Sequence, residues 1–236
     1  MRKLGISILS SAFFAVVLSF GTAQASTSCS EELSGSVTAG IYSSYAISLG
    51  AEIDDRTTTQ EAVLLNIPCS DFSLELWRSD GWHEGGHDET DFSLLYNDGF
   101  FFGKAAFYEI DGPDDIFEFQ LGVQHDIVML GEEIQPYSDV TVHSSLTGQE
   151  DAHLKFGVRY SRPVLKDVAV LRLDLSTRAV NLIGSSDGYS VQAANAALDF
   201  TLAENTTLTV GSKNFWSPRL DDGYRPVFFG AVTVSF

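Results

Sequence analysis

Along most of the chain, apolar and polar residues alternate one for one. Leu154, Phe156, Val158 and Tyr160 interleave with His153, Lys155, Gly157 and Arg159, and Phe117, Phe119, Leu121 and Val123 interleave with Glu118, Gln120, Gly122 and Gln124. The pattern recurs at 72–78, 91–96, 171–176 and 195–202. A period of two belongs to extended chain, in which successive side chains point to opposite faces, and helical spacing does not fit these runs. The pattern predicts about twelve strands, over 35–50, 60–68, 71–79, 89–97, 100–110, 115–127, 135–146, 152–163, 168–179, 189–202, 206–215 and 226–236. The links between them alternate. Tight ones at 68–70, 98–99, 164–167 and 203–205 separate longer polar ones at 51–59, 80–88, 180–188 and 216–225, with 111–114 and 147–151 of middling length. The stretch 128–134 interrupts the alternation, because a short turn is expected there.

The first residues read as an address. Arg2 and Lys3 precede the apolar run 6–20, and Ala23-Gln24-Ala25 then offers small residues for cleavage; this is the order of a secretory signal peptide. The expected organisation is a signal peptide over 1–25, a periplasmic tail over 26–34 and a single domain over 35–236. Export, an even strand number and alternating short and long loops together describe an antiparallel transmembrane β-barrel of the outer membrane, with apolar side chains toward lipid and polar ones toward the lumen. A soluble β-sandwich also alternates, but it needs fewer strands and a polar outer face. In the final segment, Phe228, Gly230, Val232, Val234 and Phe236 share one face. This segment resembles the C-terminal strand signal of bacterial outer-membrane barrels, which implies the barrel-assembly machinery and outer-membrane lipid as partners.

Four patches carry a family resemblance: Gly40-Ile41-Tyr42-Ser43-Ser44-Tyr45, Leu74-Glu75-Leu76-Trp77-Arg78-Ser79, Glu89-Thr90-Asp91-Phe92-Ser93-Leu94-Leu95-Tyr96 and Phe117-Glu118-Phe119-Gln120-Leu121-Gly122. Through them the chain resembles the TorF-like porin family. The resemblance implies an outer-membrane location and a barrel architecture more firmly than it implies any solute.

Composition narrows the function further. The 236 residues hold 14 Lys and Arg against 32 Asp and Glu, a net charge of −18, which is the wrong sign for binding nucleic acid. At 44% apolar residues the chain is not a disordered acidic tail. Two cysteines are too few for a disulfide scaffold or a thiolate zinc site. Cys29 and Cys69 are instead expected to pair in the oxidising periplasm, tying the N-terminal tail to the first short turn.

Candidate chemistry is sparse. His83-Glu84-Gly85-Gly86-His87 matches H-E-x-x-H, but the motif needs both His on one helix face, and the central glycines disfavour a helix. His83 and His87 are left as a weak loop metal candidate. His143-Ser144-Ser145 is the nearest hydrolase candidate, yet neighbours on a strand face opposite ways. His125 and His153 show no Ser or acidic partner in the sequence. No cofactor and no catalytic residue is indicated.

Strand parity assigns Glu75, Asp91, Lys104, Glu118, Asp139, Lys155, Arg159, Arg172, Asp174 and Asp199 to the lumen, with His143 and His153 nearby. It also gathers the acidic loop residues at the extracellular end, where their field favours cations. Trp82, Trp216 and Tyr224 flank those loops as candidates for an interfacial girdle. The expectation is a porin-like passive channel for small solutes, weakly cation-preferring. The alternatives are a closed barrel whose acidic loops bind ions, lipid or a partner, and, third, an outer-membrane hydrolase.

Overall fold

A computed structural model of the chain describes residues 32–46, 52–82, 88–110, 115–129, 132–145, 150–166, 168–180, 189–218 and 223–236. Among these residues, twelve long antiparallel strands form one closed wall: β1 Ser34–Tyr42, β2 Thr58–Asn66, β3 Phe72–Gly81, β4 Glu89–Asn97, β5 Phe101–Ile110, β6 Ile116–Gln124, β7 Glu132–Ser145, β8 Glu150–Leu165, β9 Ala169–Val180, β10 Tyr189–Ala203, β11 Thr206–Trp216 and β12 Tyr224–Ser235. Each strand pairs with its neighbours in the chain. The ring closes where β1 pairs with β12, Ala39 opposite Val232 and Ile41 opposite Gly230. Closure leaves no row of unpaired N–H and C=O groups, which lipid could not satisfy.

The two faces differ as a membrane barrel requires. Val37 and Ile41 on β1, Leu74 and Leu76 on β3, Phe92 on β4, Phe117 and Leu121 on β6, Phe156 and Val158 on β8, and Phe228 and Val232 on β12 all stay exposed on the outside. In water such a belt would drive aggregation; in a bilayer it is the lipid-facing surface. Aromatic pairs mark both rims. Phe72 and Tyr96 lie 5.0 Å apart at the short-turn end, and Trp216 and Tyr224 lie 5.2 Å apart at the long-loop end. The short-turn end, where β1 begins and β12 finishes, is periplasmic by the general rule for these barrels, and the long loops are extracellular.

Two strand expectations are corrected. The first strand does not run from 35 to 50 but ends at Tyr42, and a small hairpin of Tyr45–Ala46 with Glu52–Asp54 follows. Ser43 makes the last rung with β12, its N–H donating to the Phe228 carbonyl at 2.9 Å and its hydroxyl accepting from the Phe228 N–H at 3.0 Å. Beyond it the chain leaves the wall, because Tyr45 finds burial inside the barrel. The second correction concerns 128–134. Ile127–Met129 pairs with Glu132–Ile134, so the segment prolongs the β6–β7 hairpin beyond the wall instead of interrupting it.

The tight turns have local causes. Gly99 adopts φ +93°, while the Asp98 carboxylate accepts the N–H groups of Phe100 at 2.9 Å and Phe101 at 2.6 Å. Cys69 holds a left-handed φ of 60° in the first short turn.

Candidate functional site

The lumen is the candidate site, built from the inward parity of every strand. That face carries Glu75 on β3, Asp91 on β4, Lys104 on β5, Glu118 on β6, Asp139 on β7, Lys155 and Arg159 on β8, Arg172 and Asp174 on β9, and Asp199 on β10. They do not form one cluster.

Near the extracellular end, β6, β7 and β8 place His143 opposite both Glu118 and Asp151. The His143 Nε2 lies 2.7 Å from Glu118 Oε2, and Lys104 Nζ lies 3.4 Å from Glu118 Oε1. Lys104 donates to the Tyr108 hydroxyl at 2.7 Å. On the other side, His143 Nδ1 and His153 Nε2 are 2.8 Å apart, and Asp151 Oδ2 is 3.9 Å from His153 Nε2. His153 therefore does have an acidic neighbour, Asp151 two residues back on the same face of its own strand, together with His143 from the adjacent strand. Ser144 lies on the opposite parity to His143, facing out, whereas Ser145 shares the inward parity of His143. Among the described residues no group of three His, Cys, Asp or Glu side chains is placed to hold a metal ion. Asp91 is buried with Oδ1 lacking a hydrogen-bond partner among them.

A second group lies across β6 to β9. The Arg159 guanidinium stacks 4.2 Å from the Tyr137 ring centre, and its Nη1 donates to Gln124 at 2.9 Å and Gln135 at 3.0 Å. Tyr137 in turn donates to Asp174 at 2.9 Å, with Arg159 Nε 3.6 Å from the same carboxylate. The rings lie against the wall because two inward positions are glycine: a Cβ at Gly122 would strike Phe102, and one at Gly157 would strike Tyr137. A third group pairs Arg172 with Asp199 through two contacts of 2.6 and 2.7 Å, and Thr209 also donates to Asp199 at 2.8 Å. Lys155 sits 4.9 Å above the Tyr137 ring, with Asp139 and Arg178 opposite it in register.

The lumen is not uniformly open. In its extracellular half, Thr58, Ser79, Val180 and Val191 are 0 to 2% exposed. Val180, Val191, Phe215 and Val227 form an apolar cluster there, with Tyr42 packed against it. Tyr45, from the first long loop, tilts against the inward Trp77 at 5.9 Å and donates to Glu89 at 2.5 Å. Below this filled zone a cavity of about 450 Å³ follows the wall from Asp126 and Glu133 to Lys213 and Phe229.

Several lumenal groups escape a reading by pattern. Arg178 continues the parity of Arg172, Asp174 and Ser176 and could be found by extending it. Lys213 lies in Gly211-Ser212-Lys213-Asn214, where no apolar neighbour marks the face; only the parity of Thr207 and Thr209 reveals it. Tyr45 carries no such signal, since its burial depends on Trp77 and Glu89 from other strands. Of the other candidates, His83, His87 and Cys29 lie outside the described residues. Cys69 occupies the first periplasmic turn, and no described cysteine is a free thiol. Trp82 and Trp216 are exposed at the extracellular rim.

Fold and site together define a class: this is an outer-membrane β-barrel, all-β and antiparallel. No family model matches the chain, and no curated protein matches it. Solved structures do. The KdgM porin shares 10% identity at a TM-score of 0.55, over 86% of this chain and 99% of the porin. The β domain of the Bordetella autotransporter BrkA shares 12% at 0.51, over 87% and 100%. LpxR from Salmonella typhimurium shares 9% at 0.52, over 84% and 99%. At these identities the likeness is one of fold.

Proposed function

We propose that the chain is a porin-like passive channel for small solutes, narrow at its extracellular half. The observation that carries this reading is the cavity of about 450 Å³ inside the barrel, whose lining includes the charged side chains of Asp126, Glu133, Arg159, Arg172, Asp174 and Lys213. Glu75, Asp91, Lys104, Glu118, Asp139, Lys155, Arg159, Arg172, Asp174 and Asp199 are the proposed pore-lining groups. The acid-rich extracellular ends favour a weak cation preference. No step in this reading requires catalysis. Membership of the TorF-like porins, assembly through the strand ending in Phe236, and a Cys29–Cys69 disulfide belong to the same proposal.

Planar-bilayer conductance of the refolded mature protein tests it. Stable unitary steps that fall with Glu118→Gln support the channel. A barrel that inserts and never conducts sinks it. The burial at the mouth favours a second reading, a closed barrel in which Tyr45, Trp77 and the apolar cluster seal the lumen and the loops carry the function.

A further inference from the structure

One line of register partners crosses five strands and ends in unsatisfied groups. Gln135 on β7 faces Arg159 on β8, which faces Asp174 on β9, then Asn195 on β10, then Lys213 on β11. Hydrogen-bond rows run perpendicular to the strands. Because barrel strands tilt about 35–45° from the axis, such a row climbs as it circles the lumen. This one borders the cavity for its whole length. At its lower end the groups satisfy one another, Gln135 with Arg159 and Arg159 with Asp174. At its upper end they do not.

The Lys213 ammonium lies 5.2 Å from the ring centre of Tyr42 and 5.7 Å from that of Phe229, two rings stacked 5.3 Å apart. Among the described residues, no carboxylate forms an ion pair with it and no acceptor hydrogen-bonds it. Beside it, Asn195 Oδ1 is buried and equally without a hydrogen-bond partner. A half-buried charge without a counter-charge is costly, and so is an unmet buried acceptor. The two sit opposite each other in the lining of a cavity of about 450 Å³, a size in the usual range for small-ligand sites, about 300–1,000 Å³. Ringed by stacked aromatics, Lys213 calls for an anion, and Asn195 Oδ1 calls for a donor on the same molecule.

We propose that the upper end of this row is a subsite for a small hydroxy-carboxylate, whose carboxylate pairs with Lys213 and whose hydroxyl donates to Asn195 Oδ1. The subsite rests on the channel reading for its purpose, supplying a resting point for a solute crossing the lumen. It lies past the acidic mouth, on the wall of the barrel that carries Arg159 and Arg172, so a field that disfavours anions at the entrance is offset by a specific contact within.

The test is calorimetric titration of the refolded mature barrel in detergent with gluconate, with glucose and acetate as controls for the missing charge and the missing hydroxyls. Gluconate is expected to bind at least about tenfold more tightly than either control. Lys213→Met should lower gluconate affinity by about tenfold or more, and Asn195→Ala by several-fold, at roughly the energy of a hydrogen bond to a charged or buried group. Lys166→Met, in an exposed periplasmic turn, should leave it unchanged. Heat-shifted gel mobility reports folding of each variant, and Lys213→Gln, polar and shorter, replaces Lys213→Met if that chain fails to fold. Gluconate binding no tighter than glucose, or undiminished in a folded Lys213 variant, overturns the proposal. A barrel that conducts without preferring gluconate keeps the channel and loses the subsite. A barrel that binds gluconate through Lys213 and never conducts keeps the subsite and loses the channel.

Discussion

At the scale of single residues, the lumen owes its free space to absent side chains as much as to charged ones. Gly157 lets the Tyr137 ring lie against the wall, where it holds both Asp174 and Arg159. Gly157→Ala should push the ring inward, break that hydrogen bond and destabilise the barrel by about 1–3 kcal/mol, the usual penalty for overpacking. Urea unfolding of the barrel in lipid vesicles measures it, and an unchanged midpoint would refute the role given to the glycine. Asp98 offers a second check, outside the membrane. Burial works to raise its carboxyl, but the N–H groups of Phe101 and Phe100 and the Tyr96 hydroxyl outweigh it and hold the group below its ordinary value. A carboxyl depressed on folding stabilises the fold fully above its unfolded pKa of about 3.9, and loses that contribution as pH falls through the lower folded value. The stability gap between wild type and Asp98→Ala should therefore be constant from neutral pH to about 5 and close below about 4. A gap independent of pH would show that the carboxylate charge is irrelevant to the turn.

At the scale of elements, the first long loop matters most. After Ser43 its described residues leave the wall in the hairpin of Tyr45–Ala46 with Glu52–Asp54, and Tyr45 enters the mouth, against Trp77 and Glu89. If this contact narrows the channel, Tyr45→Ala should raise unitary conductance by about twofold, whereas the same change at the rim residue Tyr224 should leave it unaltered. Single-channel recording in a planar bilayer decides it, and equal conductance in wild type and Tyr45→Ala would remove the loop from the pore. The short turns have a different task. A Cys29–Cys69 bond would tie the tail to the β2–β3 turn; non-reducing peptide mapping should recover the two cysteines in one fragment, and recovery of separate fragments would exclude the bond.

At the scale of the molecule, a net charge of −18 sits on a barrel whose outer belt is apolar, so the charge gathers in the loops and the lumen. The weak cation preference expected from the loops should appear as a reversal potential of cation-selective sign in a salt gradient, diminishing as both sides are raised toward 1 M, where screening shortens to about 3 Å. An anion-selective sign would assign selectivity to Lys155, Arg159, Arg172 and Lys213 instead.

The architecture was legible in the chain because a barrel wall is a repeated local rule. Each strand sits between lipid and water, so period two marks both faces, and Phe117 against Glu118 or Phe156 against Lys155 needs no partner to be assigned. Loop length then orients the strands. The rule failed where local pattern and burial part company: Tyr45 alternates as though it continued β1, yet it is buried by residues from β3 and β4, and Ile127–Met129 pairs with Glu132–Ile134 beyond the wall. The same limit applies to the site. Parity in the sequence puts Glu118 and Arg159 on the inward face, but register across strands decides that His143 meets Glu118 and His153, that Arg159 stacks on Tyr137, and that Lys213 lies beside Asn195 with no counter-charge for the one and no donor for the other's Oδ1 among the described residues. The sequence alone determined which side of the wall a residue occupies, because that depends only on its position along a strand. Only the tertiary structure decided which residues meet across it, because that depends on the stagger between strands far apart in the chain.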